Sequence, residues 1–138
     1  MSNNKPYDLE ERTSKFAKDI ITLVNNCPKM IVNIELMKQL IRSSGSVGAN
    51  YIEAREALSK KDFALRIKIC RKEVKESAYW LRLLEIRGNS LEQKRQSLIT
   101  ESTELLKIFA SIVEKVKVTN NKKGDEGFDT CYLAFVTY

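Results

Sequence analysis

Between Ile34 and Arg55 the chain sets Ile34, Met37, Ile41, Ser44, Gly48, Tyr51 and Arg55 at alternating steps of three and four. A second line, Leu40, Val47, Ala54 and Leu58, runs beside it. That spacing is the repeat of one helix face. The face is apolar at both ends and small or polar in the middle, where Arg42, Ser43, Ser44, Gly45, Ser46, Gly48, Asn50 and Glu53 fall. A glycine inside a helix costs roughly 0.5–1 kcal/mol relative to alanine, so two of them need an offset. Close approach of a neighbouring helix, a buried polar network and a ligand site each supply one. The stretch Gln39–Phe63 therefore constrains the whole chain: this helix must be packed along its length by others.

Three further segments carry the same period. Asp8 and Glu11 make a capping-box variant ahead of Leu9, Thr13, Phe16, Ile20 and Val24, with Ala17 and Ile21 widening the stripe, until Pro28 stops the helix near Asn26. Asn33 is placed to cap the second helix. Ser59 and Asp62 form a box opening a third helix through Phe63, Ile67, Cys70, Val74, Ser77, Leu81 and Leu84, which is expected to end at Arg87 with Gly88 as its left-handed C′ residue. Ser90 and Gln93 open a fourth, in which Leu91, Leu98, Leu105 and Ile112 recur every seven residues, joined by Ser102, Phe109 and Val116 as far as Lys117. Four long helices on short loops predict an all-α, antiparallel up-down-up-down four-helix bundle over 1–118. Residues 119–138 read as a linker and tail. Its end, FDTCYLAFVTY, is either a poorly ordered terminus or a segment added to a neighbouring subunit.

Composition excludes more than it assigns. The 138-residue chain has no histidine, which removes Ser-His and Cys-His nucleophile pairs, His-ligated zinc and the Glu-x-x-His di-iron motif. No catalytic residue, cofactor or metal site is expected, and no enzyme. Cys27, Cys70 and Cys131 are too far apart for a Cys-x-x-Cys site and read as free thiols in a reducing compartment; Cys27 and Cys70 read as small buried hydrophobes. No leader pattern and no apolar run of about 18–20 residues is present, so the expected location is the cytoplasm, away from membrane.

The net charge is +6, from 24 Lys and Arg against 18 Asp and Glu, and it is concentrated. From Ser59 to Gly88 nine basic residues face four acidic ones. Lys61, Lys68, Lys75 and Arg82 are seven apart and so line one stripe of the third helix, flanked by Arg71 and Lys72. Such a stripe suits a phosphate backbone; it also suits a merely solvated face, although no acids alternate with the bases along it. Tyr79 and Trp80 at its end could stack bases or pack against protein. Glu53 and Glu76 are the carboxylates nearest the apolar seams. With Arg42 and Asn50 as partners they read as a structural polar network with Ser43 and Ser46 rather than a metal or acid–base pair.

The stretches YDLEERTSKFA (Tyr7–Ala17), QLIRSSGSVGANYIEA (Gln39–Ala54), SKKDF (Ser59–Phe63) and KESAYWLRLL (Lys75–Leu84) resemble a bacterial four-helix-bundle family, the 23S rRNA intervening-sequence proteins. The likeness spans about Tyr7 to Val118. It implies an antiparallel bundle assembling as a ring-like homopentamer. Accessory proteins of diversity-generating retroelements look like the same fold, and in those a basic pentamer binds nucleic acid and a reverse transcriptase. The family's Arg-Ser…Ser…Asn…Glu pattern falls on Arg42, Ser43, Ser46, Asn50 and Glu53, and its later Glu on Glu76; Glu73 stands where the family usually has a small residue. The expectation is a non-enzymatic homo-oligomer that binds RNA or another nucleic acid through Lys61, Lys68, Arg71, Lys72, Lys75 and Arg82. A protein-interaction scaffold or a reverse-transcriptase accessory subunit is the alternative.

Overall fold

A computed structural model of the chain describes residues 8–121, with side chains as far as residue 117. The described residues form four helices: α1 (Leu9–Asn25), α2 (Ile31–Arg55), α3 (Lys60–Leu83) and α4 (Asn89–Asn121). Two expected caps form, with Asp8 accepting from the Glu11 amide at 3.3 Å and Ser59 from the Asp62 amide at 3.1 Å. The expected tail lies outside the described residues from 122 onward, and α4 itself continues past Lys117 to Asn121.

Polar contacts show how α2 and α3 run. As the chain advances along α2 through Asn33, Arg42, Val47 and Asn50, the partners retreat through Glu85, Glu76, Cys70 and Arg66. The two helices are therefore antiparallel. Arg55 reaching Glu10, and Gly48 abutting Thr13, set α1 against α2 in the same sense. Loops of a few residues leave little alternative. α4 packs on α3 and more thinly on α1, where Arg12 clamps Glu101 with two bonds of 2.8 and 2.7 Å.

The core follows the heptads. α2 buries Asn33, Met37, Leu40, Ser44, Val47, Tyr51 and Ala54 in strict alternation of four and three, with Ser43 beside them. Every residue expected in the seam of α3 is buried. Tyr51 is 1% exposed and lies 6.3 Å from the Phe109 ring. Ile34 and Ile41, expected in the seam of α2, are exposed, as is Leu58.

Three loop expectations are corrected. Asn33 does not cap α2, which begins at Ile31 behind Met30. Instead it is 1% exposed and crosslinks two loops: Nδ2 donates to the Pro28 and Glu85 carbonyls, and Oδ1 accepts from the Glu85 amide at 2.9 Å. α3 ends at Leu83, four residues before Arg87, because Leu84 turns to extended backbone. Arg95 from α4 then donates to the freed Leu84 carbonyl at 2.6 Å. Gly88 does adopt positive φ, +94°, but as the turn into α4. Ser90 consequently lies inside α4 rather than capping it.

Candidate nucleic-acid interface

The small residues of α2 serve different ends. Ser43 and Ser77 share a buried hydrogen bond of 2.8 Å between their Oγ atoms, which sets α2 and α3 close together. A β-carbon on Gly48 would meet Thr13 Oγ1 at 3.1 Å, so this glycine admits α1. Close approach, one of the three offsets open from the sequence, does not apply at Gly45: a β-carbon there meets nothing within 4 Å. Ser46 is local, donating to the Arg42 carbonyl at 2.8 Å.

The anticipated polar network is not one network. Arg42 joins Glu76 at 2.8 Å and the buried Glu73 at 3.4 Å. Asn50 accepts from Arg66 at 3.2 Å and donates to the Ser46 carbonyl. Glu53, read from the sequence as a paired core carboxylate, is exposed. Its position follows the heptad: it precedes the buried Ala54 and points to neither seam. Glu73 of α3, one turn before Glu76, takes the inward place instead.

The predicted cations separate into a cluster and two flanks. Lys68, Arg71, Lys72 and Lys75 line one open groove of about 770 Å³ between α3 and α4, together with Glu76, Tyr79, Leu106 and Ala110. Lys61 is exposed nearer the start of α3, and Arg82 one turn beyond Tyr79. The full stripe spans ~31 Å at 1.5 Å per residue. Among the described residues none of these six cations makes an ion pair, whereas Arg12, Arg42, Arg55, Arg66 and Arg95 are each paired. Sequence spacing found the cations. It did not find Leu106 and Ala110, which reach the groove only through the packing of α4 on α3.

Cys27, Cys70 and the Tyr51 phenol are buried and hold their protons more tightly than usual. Burial pushes the Cys70 thiol up to about 12, and its Sγ donates to the Val47 carbonyl at 3.4 Å. Cys27 is shifted upward by the same cause, and Tyr51 is pushed up to about 12. Such thiols are poor nucleophiles because little thiolate forms. Among the described residues no three His, Cys, Asp or Glu side chains are grouped to hold a metal ion, and no helix is long and apolar enough to cross a membrane.

Fold and groove together define a four-helix bundle whose α3 carries a cationic face without ion pairs among the described residues. The sequence model of the 23S rRNA-intervening sequence protein family matches residues 6–111, and the chain belongs to that family. A crystal structure of a protein of unknown function from the S23 ribosomal protein family of Bacteroides thetaiotaomicron is similar. It has 33% identity and a TM-score of 0.66, covering 75% of this chain and 96% of that one. No curated protein matches.

Proposed function

We propose that this chain is a non-enzymatic nucleic-acid-binding protein of the cytoplasm, acting through the cationic face of α3. That Lys61, Lys68, Arg71, Lys72, Lys75 and Arg82 make no ion pair among the described residues carries this reading. A solvated helix face ordinarily intersperses acids that neutralise its bases. Here the one acid among the groove's lining residues, Glu76, is held by Arg42 from α2. The family's name, which refers to 23S rRNA, supports RNA as the ligand.

Assembly with further copies of the same chain belongs to this reading. An exposed trough of about 400 Å³ between α1 and α2, bordered by Ala17, Ile21, Gly45, Ala49 and Ile52, supports it as a surface to be covered. Closing a ring of subunits would multiply the cationic face and its affinity.

Fluorescence anisotropy with a structured RNA tests the proposal. Binding is expected at low salt and should weaken roughly a thousandfold between about 50 and 200 mM salt if six phosphates are engaged. Reversing charge at Lys68, Lys72 and Lys75 should abolish it. No binding at low salt, or binding that survives the reversal, overturns the proposal. Protein partners recovered from lysate after nuclease treatment would favour the scaffold reading instead, and a monomer by light scattering would remove the assembly.

A further inference from the structure

Phosphate has no use for an apolar wall, yet the groove has one. Leu106 and Ala110 form its α4 side, and the Tyr79 ring, 53% exposed, closes the cationic run. Trp80 meets that ring nearly edge-on, with centroids 5.0 Å apart and planes at 64°. This contact braces the ring in place while leaving half of it to solvent. The volume of about 770 Å³ lies within the roughly 300–1,000 Å³ of sites that enclose small organic groups.

A duplex keeps its bases stacked inside and presents mainly phosphate and sugar to a helix surface, so cations alone would serve it. A single strand alternates phosphates with free π-faces, and sites for it combine a positive groove with exposed aromatics. On α3, Lys75 and Lys72 stand one and two turns before Tyr79, about 6 and 10.5 Å along the axis. A phosphate held at Lys75 thus leaves its own base within reach of the ring.

Resting on the nucleic-acid reading above, we infer that this groove receives an unpaired base. The base stacks on Tyr79 against Leu106 and Ala110, while Lys72 and Lys75 hold the adjoining phosphates. The ligand is then a single strand or a loop with an extruded nucleotide, not continuous duplex.

The test compares a labelled oligouridylate with an RNA duplex of equal length. Tyr79→Ala should weaken single-strand binding about ten- to a hundredfold and leave duplex binding unchanged. Its effect should be the same factor at every salt concentration, because stacking releases no counterions. Tyr79→Phe should retain affinity, because the ring and not its hydroxyl stacks, and unchanged duplex binding by Tyr79→Ala excludes a folding defect at this position. Lys72→Gln and Lys75→Gln should instead weaken both ligands and lower the salt slope by about one each. If duplex binds at least as tightly as the single strand, or Tyr79→Ala leaves the single strand unaffected, the stacking inference fails while the phosphate reading stands. If neither ligand binds the unaltered protein, both fall.

Discussion

Arg42 on α2 donates through Nη2 to Glu76 Oε2 on α3 at 2.8 Å, so the acid bordering the basic groove is held by a cation from another helix. The same guanidinium turns Nη1 toward Glu73 Oε2 at 3.4 Å, and Glu73 is only 6% exposed. One side chain therefore supports the packing of α2 on α3 and keeps the groove's single negative charge from competing with a bound anion.

Replacing Arg42 separates these roles. Arg42→Ala leaves the Glu73 carboxylate buried without its cation and is expected to destabilise the fold by about 1–3 kcal/mol, read by urea denaturation. Adding Glu73→Gln should recover part of that loss. Arg42→Lys should recover less, since an ammonium cannot fork toward two carboxylates as guanidinium does. A fully stable Arg42→Ala protein would contradict the role given to the ion pair.

The two α2 glycines should respond oppositely to alanine. At Gly45 the added methyl meets nothing, so the fold should gain about 0.5–1 kcal/mol from helix propensity. At Gly48 it meets Thr13 Oγ1 at 3.1 Å, and Thr13 is buried and tied to the Leu9 carbonyl at 2.6 Å. The neighbour cannot move freely, and the propensity gain should be lost. Thermal melts of the two single variants check the order; equal melting temperatures would refute it.

Alkaline pH should weaken the fold before any chemical damage. Cys70 rises from 9.0 to about 12 and Tyr51 from 10.0 to about 12, both through burial. Between the unfolded and folded values the native state holds protons that the unfolded chain releases. Stability is therefore complete below about pH 9 and falls as pH rises above it, by at most ~1.4 kcal/mol per pH unit for each group. Urea titrations with reductant present should show this decline starting near pH 9, and Cys70→Val should make its first part shallower. A flat profile from about pH 8 to 10.5 would exclude the burial described for these groups.

The helices were legible because their signals are local. Capping at Asp8 and Ser59 and the seam of α3 depend only on residues within a few positions of one another. The choice of seam in α2 was not local. Met37, Ser44 and Tyr51 belong to the buried face under either reading, but they can be joined by Ile34 and Ile41 or by Leu40, Val47 and Ala54. Both sets are apolar, so periodicity cannot choose; only the packed neighbours do, and the second set is the buried one. Asn33 shows the same limit, since its partner Glu85 is 52 positions away. In the groove, the spacing of the cations was readable, but the apolar wall from α4 depended on how two distant helices register.

The bracing of Tyr79 by Trp80 has an optical consequence. Trp80 is the chain's single tryptophan, and its indole nitrogen is buried without a hydrogen-bond partner among the described residues. Its emission thus comes from one place, next to the ring at the end of the groove. The protein carries its own unlabelled reporter, whose intensity should change when anything settles against Tyr79.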